Sequence, residues 1–199
     1  MNIAIIYGGR STEHDASLAS FHNIKENLSP DITIVYSIFI NRDGICYLNN
    51  KKKPIEKIIE FIKKKNIFLV NLLHGNEGED GAWQGIAEVC DIDGSFETVS
   101  TASITMNKYF QSSVSKAISG LYVPKSLLIT KNENLKNIIN KIKKLNIAEI
   151  IIKPNSMGAS HFVKRLRLSN RVDISAQINE ILKFDRGVII QEFILKVPS

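Results

Sequence analysis

Short apolar stretches alternate with amphipathic helical patterns in the first half of the chain, and this alternation limits the fold most. The predicted strands are residues 3–7, 33–40, 45–48 and 68–73. The predicted helices are residues 17–28, 54–65 and 80–90. Strands that alternate with helices predict a parallel sheet with covered faces, an α/β fold. Ligands of such sheets bind at the carboxyl ends of the strands, where residues 8–17 and 74–81 fall.

The second half of the chain follows an α+β pattern with antiparallel pairs. We predict helices over residues 106–119, 135–145 and 174–183, and strands over residues 123–128, 148–153, 160–164 and 187–194. The change of pattern predicts two domains, residues 1–100 and 101–199. The given sequence stops at residue 199, five residues after the last predicted strand, so we expect the second domain to be incomplete and the apolar stretch 188–195 to lie uncovered.

Composition indicates a cytoplasmic protein without a membrane partner. Hydrophobic residues make up 44% of the chain and charged residues 23%, which is ordinary for a globular protein. The first residues show no export signal, and apolar runs such as 147–152 are too short for a bilayer. Cys46 and Cys90 form no paired motif, as is typical of a reducing compartment.

Charge differs between the two halves. Residues 1–100 hold 10 Lys and Arg against 14 Asp and Glu, whereas residues 101–199 hold 16 against 6. The basic half favours a phosphate or polyanion ligand, although surface lysines that keep the chain soluble would give the same count. We expect no nucleic-acid partner, because basic motifs interleaved with aromatics and zinc-finger spacing are both lacking in the sequence.

A glycine turn follows the first predicted strand. Gly8 and Gly9 allow backbone amides to approach a ligand before a helix begins. Glu13 and neighbouring ionisable side chains then lie at the mouth of the sheet. Two readings remain open for this segment: Ser11 or Asp15 caps the helix, or the acids contact a ligand. We favour a ligand contact for Glu13 and a helix-terminal role for Asp15.

A second polar loop follows the strand that ends near residue 73. His74 opens a stretch with three glycines and three acids, residues 74–81. Such a loop at a strand end favours a binding role for His74, although a loop histidine with local hydrogen bonds is the alternative.

Four motifs in order resemble those of D-alanine–D-alanine ligases of the ATP-grasp type. They are residues 8–17 (GGRSTEHDAS), 74–85 (HGNEGEDGAWQG), 106–108 (MNK) and 153–158 (KPNSMG). The resemblance implies an N-terminal parallel-sheet domain of the pre-ATP-grasp, Rossmann-like kind, which binds substrate, and an incomplete ATP-grasp central domain. It implies ADP-forming, ATP-dependent joining of two D-alanines for peptidoglycan synthesis.

Site roles follow from the same resemblance. Glu13 and His74 would contact the first D-alanine, with Glu13 and Ser160 in catalytic positions. Lys108 and Lys153 would hold ATP phosphates, together with Ser160 in a flexible loop that closes over them. The segment against adenine would be Gln191, Glu192, Phe193 and Ile194. A homodimer through the N-terminal domain is implied as well.

Departures from the family pattern keep other functions open. Ala159 and Phe162 stand where the family carries a serine and a glycine, and Gln191 replaces a common glutamate. The family's acids for Mg²⁺ lie in a later domain, so we expect no metal ligand in this chain and no activity from the isolated 199 residues. Alternatives are a ligase for another carboxylate–amine pair, such as D-alanine with D-lactate or D-serine, and a non-catalytic relative that binds a nucleotide or amino acid.

Overall fold

The computed structural model describes residues 2–29, 32, 34–131, 133–147 and 149–194. It divides into two compact units, unit 1 (Met1–Ser103) and unit 2 (Ile104–Ser199). The predicted class, an α/β first half and an antiparallel second half, is confirmed. Separate substrate-binding and nucleotide-binding roles for residues 1–100 and 101–199 stay a prediction. Within the described residues no helix is long and apolar enough to cross a bilayer.

Unit 1 contains a five-stranded sheet in the order β4-β3-β2-β1-β5. Its strands are β1 (Asn2–Gly8), β2 (Ile34–Ile40), β3 (Cys46–Leu48), β4 (Lys51–Lys52) and β5 (Phe68–Asn71). Both neighbours of β1 run parallel to it, whereas β3 and β4 are antiparallel additions, so the sheet is mixed. The turn between β2 and β3 is too short for a parallel crossover, so β3 runs antiparallel to β2. Asn41 Oδ1 accepts from Ile45 N at 2.8 Å within this turn.

The helices of unit 1 cover both faces of β1. They are α1 (His14–Glu26), α2 (Ile55–Lys65) and α3 (Ala82–Val89), and α4 (Val99–Met106) runs across the division between the units. Side chains of β1 alternate between two apolar clusters: Ala4 and Ile6 belong to one, and Ile3 and Ile5 to the other. Burial on both faces explains why the first strand has a continuous apolar sequence.

Unit 2 is a four-stranded antiparallel sheet in the order β6-β9-β7-β8. Its strands are β6 (Ser126–Thr130), β7 (Glu149–Pro154), β8 (Lys164–Arg167) and β9 (Gly187–Glu192), and its helices are α5 (Lys108–Ser115), α6 (Leu135–Lys144) and α7 (Arg171–Ile181). The expectation that the last strand lies uncovered is wrong for Val188, Ile189 and Ile190, which are at most 1% exposed. Strand β9 lies between two other strands and packs against Ile142 and Ile178 of the helices.

Two predicted elements of unit 2 differ from the structure. The helix expected over residues 106–119 is shorter, α5 (Lys108–Ser115), because Asn107 is extended and its side chain caps α5 by accepting from Phe110 N at 3.0 Å. The strand expected over residues 160–164 is wrong for residues 160–163. Ser160 and Phe162 have left-handed φ angles of 56° and 57°, which no strand accommodates.

Candidate functional site

The turn after β1 is built on two glycines with left-handed φ angles, 92° at Gly8 and 89° at Gly9. A Cβ on Gly8 would lie 2.2 Å from the carbonyl oxygen of Ile40, so a side chain is excluded there. Ser17 Oγ accepts from Gly8 N at 2.8 Å and donates to Leu72 O at 2.5 Å. These two bonds fasten the carboxyl ends of β1 and β5 to the first turn of α1.

Ser11 connects the two predicted substrate residues. Its hydroxyl donates to His74 O at 2.6 Å and accepts from Glu13 N at 3.1 Å. A Cβ on Gly75 would lie 3.0 Å from Glu13 Oε1, so the carboxylate of Glu13 lies beside the residue that follows His74. The structure therefore brings Glu13, in the turn after β1, close to His74, in the loop after β5. D-alanine binding by these two residues stays a prediction.

The capping role considered for Ser11 and Asp15 is wrong. The N-cap of α1 is Glu13, and among the residues that the structure describes no side-chain hydrogen bond caps the helix. Asp15 lies in the first turn and pairs with Arg42 at 2.8 Å. The sequence did not indicate that the Ser11 hydroxyl links Glu13 to His74, because His74 lies 63 positions away.

His74 is held through both ring nitrogens. Its Nδ1 lies 3.3 Å from Glu79 Oε1, and its Nε2 lies 3.0 Å from Ser20 Oγ. An ionised carboxylate only accepts, so Nδ1–H donates to Glu79. The other oxygen of Glu79 accepts from Gly75 N at 2.9 Å. The imidazole thus has a defined orientation.

A cavity of about 500 Å³ opens beside His74. Its lining includes Ser20, Asn23, Asn71, His74, Glu79 and Glu97. The volume and the mixture of hydroxyl, amide and acidic side chains suit a small polar ligand.

Lys153, one of the two predicted phosphate lysines, lies in β7 and is half-buried. Its Nζ donates to Gln191 Oε1 at 2.7 Å. Burial lowers the pKa of Lys153, because the ammonium group loses hydration. In the part of the chain that the structure describes, this ammonium group forms no ion pair. A desolvated cation with a neutral amide partner is suited to bind an anion such as phosphate.

Lys108 and Asn155 join α5 to the loop after β7. Lys108 N donates to Asn155 O at 3.0 Å, and Lys108 Nζ donates to Met157 O at 2.5 Å. Asn155 is only 5% exposed, donates from N to Gly187 O at 3.0 Å and accepts at Oδ1 from Tyr109 N at 3.1 Å. Asn155, predicted only as a loop residue, therefore fixes the position of Lys108. The sequence feature that could have indicated this role is a polar residue directly after Pro154.

The loop expected to be flexible is strained and anchored. Ala159, Ser160 and Phe162 all have left-handed φ angles, at a cost of about 1 kcal/mol each. The Phe162 ring stacks on Phe184 with centroids 5.1 Å apart and packs against the core of unit 2. Ser160, the predicted catalytic hydroxyl, is exposed. A glycine at position 162, as in the family pattern, would adopt this conformation without strain.

The segment predicted to contact adenine forms contacts with other residues of unit 2. Glu192 Oε2 accepts from Tyr122 OH at 3.1 Å, and this bond raises the pKa of Tyr122. Arg165 stacks its guanidinium 3.8 Å from the centroid of the Phe193 ring. Ile194 is half-buried. Because Gln191 contacts Lys153, the structure joins this segment to one predicted phosphate lysine.

No metal centre is evident among residues 2–29, 32, 34–131, 133–147 and 149–194, where no three His, Cys, Asp or Glu side chains group closely enough to hold an ion. The predicted origin of Mg²⁺ ligands outside these residues stays a prediction.

Comparison with known sequences supports the family predicted from the motifs. Residues 2–67 match the family described as the D-ala D-ala ligase N-terminus. A D-alanine–D-alanine ligase from Borrelia recurrentis is 31% identical over 218 residues, which cover 97% of this chain and 58% of the relative. The chain thus spans less than two thirds of the length of such relatives.

Solved structures give the same result. The D-alanine–D-alanine ligase from Bacillus anthracis complexed with ATP matches with a TM-score of 0.74 and 27% identity, over 98% of this chain and 59% of that one. The VanG D-Ala:D-Ser ligase from Enterococcus faecalis matches with a TM-score of 0.76 and 25% identity, over 98% of this chain and 63% of that one. Residues 2–67 thus match the N-terminal family of D-alanine–D-alanine ligases, and the chain as a whole is similar to such ligases in sequence and structure.

Proposed function

We propose that the protein containing these residues is an ADP-forming ligase that joins two D-alanines for peptidoglycan synthesis in the cytoplasm. The observation that carries the proposal is the turn at the strand ends, where Ser11 holds Glu13 and His74 together. The family match, and a matching ligase solved with ATP, support it.

Unit 1 would bind the first D-alanine. The carboxylate of Glu13 attracts its ammonium group, and His74, with its ring oriented by Glu79, lies close to Glu13. Because folding already orients these groups, substrate binding orders little additional structure.

Unit 2 would bind ATP. The ammonium groups of Lys108 and Lys153 neutralise phosphate charge, and Ser160 lies in the loop beside them. ATP supplies the phosphoryl group that activates a D-alanine carboxylate for attack by the second amine. Mg²⁺ would accompany ATP, with ligands outside the described residues. The two residue ranges 1–100 and 101–199 would serve as substrate-binding domain and partial ATP-grasp domain, and a homodimer would form through the first.

A different second substrate is the main alternative within this class. The match to a D-Ala:D-Ser ligase is as good in TM-score as the match to the D-alanine–D-alanine ligase solved with ATP. Measuring ADP release with D-alanine alone, and with D-serine or D-lactate added, separates these ligases. A relative that only binds its ligands would release no ADP in any of these mixtures.

Binding of D-alanine tests the carrying observation directly. Replacing Glu13 by Gln should weaken D-alanine binding by about 10–100-fold, since a hydrogen bond to a charged group is worth about 1.5–3 kcal/mol. The matched control is Asp15→Asn, an acid two residues away that pairs with Arg42. Isothermal titration calorimetry gives both dissociation constants. Equal affinities for the two variants would contradict the assignment of Glu13.

A further inference from the structure

Two anchors fasten the loop of residues 156–162 to one corner of unit 2. At its start, Ser156 N donates to Asp185 Oδ2 at 2.6 Å. At its end, the ring of Phe162 stacks on that of Phe184, with an interplanar angle of 18°. Because Phe184 and Asp185 are adjacent between α7 and β9, one short segment holds both ends of the loop.

The first anchor is a buried carboxylate. Asp185 is 8% exposed, and its other oxygen accepts from Gly187 N at 3.1 Å. Hydrogen bonds to a carboxylate in such a site are stronger than those between neutral groups. An asparagine there would turn an NH₂ group toward one of the two N–H donors, so one bond would be lost.

The second anchor fixes a strained backbone. Phe162 has a φ angle of 57°, and its carbonyl oxygen accepts from Gln177 Nε2 at 2.7 Å. Gln177 is 1% exposed, so this donor belongs to the core of the unit. The ring stack and this bond together hold Phe162 in a conformation that its own backbone disfavours.

We propose that Phe184 and Asp185 form a clamp that sets the conformation of loop 156–162 before any nucleotide binds. The inference rests on the proposed function, in which Lys108 and Lys153 hold phosphates. Met157, whose carbonyl oxygen accepts from Lys108 Nζ, lies inside the clamped loop. The two clamp residues are therefore positioning residues, which act on the phosphate site through the loop and through Lys108.

Hydrogen exchange of the 199-residue chain tests the clamp. Phe184→Ala should speed amide exchange at His161 and Val163, which bond to Gly158 and Ser160 across the loop, by about tenfold or more. Asp185→Asn should do the same at Ser156. The control is Val172→Ala on α7, an exposed apolar side chain like Phe184, which should change none of these amides.

Folding and the role of the ring are checked in the same experiment. Amides of β7 should keep their slow exchange in every variant, which shows that unit 2 remains folded. Phe184→Tyr retains the stack and should restore slow exchange at His161 and Val163. Loop amides that exchange at the native rate in both Phe184→Ala and Asp185→Asn would overturn the clamp.

Titration with ATP separates the clamp from the proposed function. In the full-length protein that contains these residues, both clamp variants should bind ATP about tenfold more weakly than the native protein and Val172→Ala. A loosened loop with unchanged ATP affinity would overturn the positioning role. Failure of the native full-length protein to bind ATP would contradict the proposed nucleotide site, while the exchange rates would still decide whether the clamp holds the loop.

Discussion

The turn at the strand ends of unit 1 and the lysine site of unit 2 satisfy their polar groups in different ways. In unit 1, Ser11 bonds to groups of Glu13 and His74, and Glu79 accepts from the ring of His74. In unit 2, Lys108 and Lys153 donate to a neutral carbonyl and a neutral amide oxygen. In the first site polar groups thus bond to one another, whereas in the second the ammonium group of Lys153 has a neutral partner and is suited to bind an anion.

The difference shows how each site obtains its shape. Glycine turns at Gly8 and Gly9 and buried parallel strands fix the turn of unit 1, so its geometry is part of the fold. The loop of unit 2 has strained residues in place of glycines and depends on contacts from Phe184 and Asp185. Backbone changes should therefore damage unit 1 most, and charge changes should affect ligand binding most in unit 2.

The largest expected effect is on the stability of unit 1. Gly8→Ala should lower the free energy of unfolding by about 3 kcal/mol or more, because the new Cβ would clash with Ile40 O and φ is left-handed. The matched control is Gly120→Ala in unit 2, where φ is 77° but no atom of the described residues lies within 4 Å of the added Cβ. It should cost only about 1 kcal/mol. Urea denaturation followed by circular dichroism compares them, and equal losses would show that the turn tolerates a side chain.

Removal of a cation in unit 2 should affect activity rather than folding. In the protein with ligase activity, Lys153→Ala should reduce kcat/KM by about 10²–10³-fold, the size found for loss of one transition-state contact. Lys141→Ala on α6, which breaks only an ion pair with Glu133 near the surface, should leave the rate nearly unchanged. Steady-state kinetics with ATP checks this pair. Similar rates for the two variants would show that Lys153 holds no phosphate.

The linking hydroxyl of unit 1 should have a moderate effect. Ser11→Ala removes the hydrogen bonds to His74 O and Glu13 N and should lower stability by about 1–2 kcal/mol. It should also weaken D-alanine binding. The control is Ser113→Ala, whose hydroxyl donates within α5 to Tyr109 O. Thermal denaturation and calorimetry would contradict the linking role if Ser11→Ala behaved like the control.

The smallest expected effect is a dependence of stability on pH in unit 2. Because the folded-state pKa of Lys153 is lowered, its charged form opposes folding below that pKa, and this penalty disappears as pH rises toward the ordinary value of 10.5. Lys153→Met should thus stabilise the chain at pH 7, by less than about 1 kcal/mol for a partly exposed group. The gain should shrink at alkaline pH. Melting temperatures at pH 7 and pH 10 test the sign, and a gain that grows with pH would contradict it.

Local patterns accounted for most of the architecture. Apolar spacing predicts the first strand and helix α2, and the two glycines predict the turn after that strand. These signals depend only on residues that are neighbours in the sequence. The mixed sheet was not predicted, because the pairing of β3 and β4 depends on which edge strand of the sheet is free to accept them. The left-handed loop at Ser160 was read as a strand, since its conformation comes from distant contacts of Phe162.

The candidate site was predictable residue by residue but not as a network. The four motifs occur in order in the sequence, and they were sufficient to identify Glu13, His74, Lys108 and Lys153 as candidates. The bonds of Ser11 to His74 and of Ser156 to Asp185 join residues 63 and 29 positions apart. Such partners meet only when strands and helices pack, because hydrogen bonds act over about 3 Å and have no trace in local spacing. Packing therefore determined the orientation of the His74 ring, the partner of Lys153 and the anchors of the loop.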